Sequence, residues 1–102
     1  MFDFIKSLFK GNGDVAKLVK EGAVIVDVRT KGEYQAGHIE GSRNIPLDNM
    51  EKEAAALKNL NKPVVTVCRS GNRSGMAKSI LTAAGIEAYN GGAWTNLKRQ
   101  IQ

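Results

Sequence analysis

The chain has 102 residues, enough for one hydrophobic core but not for two, and its 15 Lys and Arg against 10 Asp and Glu leave a net charge of +5. That balance favours anionic small molecules or acidic protein surfaces as partners, while the few aromatics, half of them before residue 10, offer no basic-aromatic platform for nucleic acid. One cysteine, Cys68, and one histidine, His38, exclude an internal disulfide and a metal cluster of typical ligands.

In chain order, Met1 to Lys10 carries Phe2, Phe4, Ile5, Leu8 and Phe9 among lysines. It falls far short of the ~20 apolar residues that span a bilayer, and it lacks an uninterrupted signal-peptide core. It reads as a short amphipathic helix ended by Gly11-Asn12-Gly13, its apolar face docked on its own domain rather than on a partner or a membrane. The expected organisation is therefore an N-terminal segment, residues 1–13, and a single domain, residues 14–102. Asp14 can cap a helix through Val15, Leu18 and Val19 closed by Gly22, and Ala23 to Val28 reads as a central strand. Thr30 and Glu33 have capping-box spacing for a short helix from Lys31 to Ala36, and Arg43 to Ile45 is a brief strand stopped at Pro46. Asp48 and Glu51 form a second capping-box candidate before a helix to about Leu60. Pro63 to Val67 is a short β-branched run, the pattern of a strand buried on both faces. Met76, Ala77, Ile80, Leu81 and Ala84 then recur at helical spacing, with Gly85 at the left-handed cap position. Glu87 to Tyr89 should be the last strand and Ala93 to Gln100 a closing helix. A small parallel sheet with helices on both faces is the economical α/β assembly.

Between the Pro63 strand and the following helix lies Cys68-Arg69-Ser70-Gly71-Asn72-Arg73-Ser74. Backbone N–H groups at a helix start have no intrahelical partner, and the macrodipole adds about half a positive charge there. Such a field, with neighbouring arginines, brings a cysteine from about pH 8.5 to roughly 3.5–7.5, so a thiolate is expected at neutral pH. Gly71 and Asn72 accept unusual backbone angles at low cost, and Arg73 offers a planar fork to an oxyanion. A lone buried cysteine more often serves as a small hydrophobe, but the carboxyl end of a parallel strand is where α/β sheets bind ligands. A reactive thiol also suits a reducing compartment, so a cytoplasmic location is expected.

Four motifs in order resemble the single-domain rhodanese family: Asp27-Val28-Arg29, the stretch from Gly37 to Leu47, the loop from Cys68 to Ser74, and Asn90-Gly91-Gly92 followed by Trp94. The resemblance covers about residues 14 to 100 and implies a rhodanese-like sheet of about five strands. It implies sulfur transfer without a cofactor, in which Cys68 takes sulfane sulfur from a small anionic donor such as thiosulfate and passes it from a persulfide to cyanide or a thiol. By the same resemblance Arg69, Ser70, Gly71, Asn72 and Arg73 form the cradle, with Arg73 also stabilising charge. Asp27 resembles the acidic residue that props this loop, the alternative being a strand-end or capping aspartate. Arg29 would be an extra anion contact, against the alternative of a structural ion pair with Asp27 or Glu33. His38 reads as a turn-stabilising hydrogen bonder, and Trp94 as closing the core or one pocket wall.

Glu33 stands where some thiosulfate-using members carry a basic residue. At ~6 Å and an effective dielectric of about 20, that charge costs an anion roughly 3 kcal/mol before screening, which argues against thiosulfate as the physiological donor. A relay protein that hands persulfide sulfur to a protein acceptor is the second reading. Cysteine phosphatases of related fold place five residues between their Cys and Arg, whereas four intervene here, Arg69 to Asn72, a cradle sized for sulfur better than for a phosphoryl group.

Overall fold

A computed structural model describes the backbone from residue 11 and the side chains from residue 14 to residue 102. The amphipathic reading of Met1 to Lys10 lies outside the described residues. Helix α1 (Gly11–Lys20) takes in the glycine-asparagine-glycine run expected as a break, so Asp14 falls in its first turn rather than at its cap. The chain continues through β1 (Val24–Asp27), α2 (Lys31–Ala36), β2 (Arg43–Asn44), a 3-10 turn (Leu47–Asn49), α3 (Met50–Lys58), β3 (Val64–Cys68), α4 (Asn72–Ala83), β4 (Ala88–Ala93) and α5 (Trp94–Ile101).

The sheet is wholly parallel, ordered β2-β1-β3-β4. Four strands stand among the described residues instead of about five, because those residues hold only four extended runs and their other apolar positions recur at helical spacing. Val64 and Cys68 on β3 and Val26 on β1 face a core completed by Met50, Ala54 and Leu57 of α3 and Ala77 and Leu81 of α4. The alternate residues Ile25, Val65 and Val67 pack on the other side against Val15 and Ala16 of α1 and Leu97 of α5. Helices on both faces thus follow from central strands β1 and β3 that are buried on both faces, since each period-2 face must be covered. No helix among the described residues is long and apolar enough to cross a membrane.

Local signals are met unevenly. Thr30 and Glu33 form the expected capping box, the Thr30 hydroxyl accepting from the Glu33 N–H at 3.3 Å and the Thr30 N–H donating to Glu33 Oε1 at 3.0 Å. Gly85, at φ +88°, ends α4 in a Schellman motif, with Ile86 N–H bonded to the Leu81 carbonyl and Gly85 N–H to that of Thr82. The Asp48 and Glu51 box does not form. Pro46 instead leads into the 3-10 turn, and neither that turn nor α3 has a side-chain cap. Strand β4 runs further than expected, to Ala93, because Gly91 lets it lie close against β3.

The order of the strands places the site. From β1 the chain moves outward to β2, returns through α3 to β3 on the other side, and goes on to β4. The carboxyl ends of β1 and β3 are therefore neighbours at the point where the winding reverses, the position at which open parallel sheets leave a crevice. The segment after β1 carries Arg29 and Glu33, and the segment after β3 is the Cys68 loop.

Candidate active site

Cys68 is the last residue of β3, and its side chain shares a face with Val64 and Thr66 under the start of α4. It is only 1% exposed, yet its sulfur is surrounded by donors. The Gly71 N–H points at Sγ from 2.9 Å and the Ser74 hydroxyl lies 3.3 Å away. Burial pushes the thiol pKa up, but hydrogen bonds from the Ser74 hydroxyl and from the backbone of Ser74, Gly71 and Ser70 outweigh it and hold it below its ordinary value. Gly71 precedes α4 at φ +102°, a left-handed conformation that turns its amide toward the sulfur at no steric cost.

The loop is fastened from β4 by one amide. Asn90 donates through Nδ2 to the Gly71 carbonyl at 3.0 Å, while its Oδ1 accepts from the Ser74 hydroxyl at 2.6 Å and from the Gly92 N–H at 2.9 Å. Gly75 leaves room for that amide, since a Cβ there would stand 3.2 Å from Asn90 Nδ2. Beneath the loop, the buried Thr66 hydroxyl donates to the Ser74 carbonyl at 2.8 Å and lies 3.2 Å from that of Tyr89, tying β3 to both α4 and β4. Ser74, Asn90 and Thr66 are missing from the set of site residues expected from sequence. Ser74 and Asn90 lie inside quoted motifs, but what each one touches depends on strand pairing that local pattern does not contain.

The expected loop residues divide into three groups. Cys68, Ser70 and Gly71 meet at the sulfur, with Ser70 acting through its backbone. Arg69 and Asn72 are exposed around the mouth of the loop. Arg73 reaches Cys68 by its field alone: its guanidinium turns to Glu33, with Nη1 to Oε1 at 2.8 Å and Nη2 to Oε2 at 3.0 Å. The Glu33 carboxyl is pulled down to about 2, chiefly by this Arg73 contact and then by the Thr30 N–H.

Asp27 and Arg29 form a second pair, buried at 0% and 5% exposure. Both Asp27 oxygens accept from Arg29, the closest from Nη2 at 2.7 Å, and Nη2 also donates to the Gly37 carbonyl at 2.7 Å. The Trp94 ring lies against the same guanidinium at 4.5 Å from its centroid. The structural alternative for Arg29, an ion pair with Asp27, is thus the arrangement found. The Asp27 carboxylate bonds to Arg29 rather than to the Cys68 loop, and it bears on that loop through its charge near Arg73. His38 stacks on Tyr34 at 3.8 Å and donates from Nδ1 to the Tyr34 carbonyl at 2.7 Å, a turn-stabilising role. Trp94 packs against the core on the α1 and α5 side, and no group of three metal-ligating side chains occurs among the described residues.

Comparison with known proteins places the chain in a family. A family model described as a rhodanese-like domain matches residues 12–96. Thiosulfate sulfurtransferase PspE of Escherichia coli is 41% identical over 61 residues, 59% of this chain and 59% of that protein. The putative sulfur carrier protein YrkF of Bacillus subtilis is 40% identical over 67 residues, 66% of this chain and 36% of that protein. The chain therefore spans well under two thirds of the length of these relatives. A solved structure, a rhodanese with anions from E. coli, superposes with a TM-score of 0.67 at 34% identity, covering 74% of this chain and 91% of the other. With the motifs in order, the parallel sheet and the cysteine loop at its reversal point, the chain belongs to the rhodanese-like domain family.

Proposed function

We propose that the chain is a sulfurtransferase that carries sulfane sulfur as a Cys68 persulfide and works in a reducing compartment such as the cytoplasm. The observation that carries this reading is the donor set on Sγ, above all the Gly71 N–H at 2.9 Å. A sulfur so placed is favoured as an anion, which makes it a nucleophile and suits the equally anionic persulfide. With thiosulfate, the thiolate attacks the outer sulfur, the S–S bond to the sulfonate breaks, and its electron pair leaves on sulfite. Cyanide or a thiol then attacks the terminal sulfur and returns the Cys68 thiolate. The terminal sulfur sits about 2 Å beyond Sγ, at the mouth of the loop, where an acceptor can reach it.

Handing the sulfur to a protein acceptor is the second reading. The Arg73 fork closed on Glu33 favours it, because the site then offers a small dianion little net positive charge, and the likeness to a putative sulfur carrier protein agrees. Intact mass tests the core of both readings. Incubation with a sulfane-sulfur donor should add about 32 Da to the protein and nothing to Cys68→Ser, and a wild-type chain that gains no mass refutes the persulfide.

A further inference from the structure

Glu33 is fixed from two elements at once. Thr30 holds Oε1 through its N–H at 3.0 Å and its hydroxyl at 3.1 Å, and Arg73 takes both oxygens at 2.8 and 3.0 Å. The carboxylate is thereby ionised across the working pH range. Arg73 spends on it the two terminal nitrogens with which a guanidinium grips an oxyanion. Of the three arginines that follow β1 and β3, Arg29 is neutralised by Asp27 and Arg73 by Glu33, which leaves Arg69. Against a Cys68 thiolate, the site has almost no net charge with which to attract a dianion.

Beside Arg73 lies a cleft of about 120 Å³ lined by Val28, Thr30, Pro46, Leu47, Asp48 and Arg73. Its walls are mostly apolar and its one further charge is the Asp48 carboxylate, a lining that suits an organic substituent and disfavours a sulfonate. We propose that the Glu33 and Arg73 ion pair is a specificity latch that turns away dianionic donors and reserves Cys68 for organic persulfides, R–S–SH, with the R group seated in this cleft. The latch rests on the persulfide reading above and refines its donor. The transfer balances without an outside oxidant: the Cys68 thiolate attacks the terminal sulfur of R–S–SH, the R–S to S bond breaks, its electron pair leaves on R–S⁻, and Cys68–S–SH remains.

The test measures the rate of sulfur loading onto the full chain, by intact mass, from thiosulfate and from cysteine persulfide. Glu33→Gln removes the charge and keeps the cap, because glutamine serves equally at this capping-box position. Wild type should load faster from cysteine persulfide. The variant should load from thiosulfate about tenfold faster than wild type, a gain that shrinks as salt screens the site, with the persulfide rate changed less than about threefold. Loading from both donors at a ratio that Glu33→Gln does not alter overturns the latch alone. No added mass from either donor overturns the persulfide reading and the latch with it.

Discussion

At Cys68 a single proton on Ser74 links the state of the sulfur to the rest of the site. The hydroxyl stands 2.6 Å from Asn90 Oδ1 and 3.3 Å from Sγ, and it can donate to only one of them. While the sulfur is a thiol, its S–H can give to Ser74 and the hydroxyl to Asn90. Once it is a thiolate, the hydroxyl can turn to the sulfur, and a hydrogen bond from Ser74 is among the causes that lower the thiol pKa. Ser74→Ala should therefore raise the pH at which Cys68 is alkylated by iodoacetamide and slow alkylation at pH 7 about three- to tenfold, the range of a typical net hydrogen bond. An unchanged pH profile would remove Ser74 from the set of thiolate donors. Such a role is not legible in the sequence: Ser74 is visible as part of the loop, but its partner Asn90 comes from a strand 16 residues further on.

Strand β4 shows at the level of the element what sequence can and cannot reveal. The apolar runs of β1 and β3 announce themselves through Val and Ile, and the Thr30 box starts α2 where its spacing says it should. Asn90-Gly91-Gly92 carries residue types depleted in strands, so strand propensity ends before it, yet the backbone continues extended. The cause is close approach. A Cβ on Gly91 would lie 2.8 Å from Val65 Cγ1 and 3.0 Å from both the Thr66 carbonyl and Val67 Cγ1. Glycine lets β4 press on β3 there and brings Asn90 within reach of the loop, across the irregular register between Thr66 and Cys68. Gly91→Ala should cost about 1–3 kcal/mol, as overpacking in a rigid interior does. In a domain of this size that lowers Tm by at least about 4–8 °C in a thermal melt. It should also slow sulfur loading, since Asn90 moves with the strand; a variant that melts and loads like wild type would show that the close approach is not required.

Over the whole molecule, the Glu33 and Arg73 pair joins segments 40 residues apart, from the two sides of the point where the sheet reverses. The sequence shows both charges but not that they meet, because the pairing is created by β1 lying beside β3. The pair has a pH signature that separates it from a chance surface contact. Glu33 titrates at about 2 in the folded chain against an ordinary 4.5, so the unfolded chain holds its proton more tightly. Its stabilising contribution is then complete above the unfolded value and is lost as the pH falls through the folded one. The difference in Tm between wild type and Glu33→Gln should accordingly be level from neutral pH down to about 4.5 and close as the pH approaches about 2. Both side chains are about one third exposed, 35% and 33%, so added salt should narrow the difference at every pH. A difference absent at neutral pH and low salt would mean that Arg73 swings free of Glu33 in solution, and its fork would then be open to an anion above Cys68.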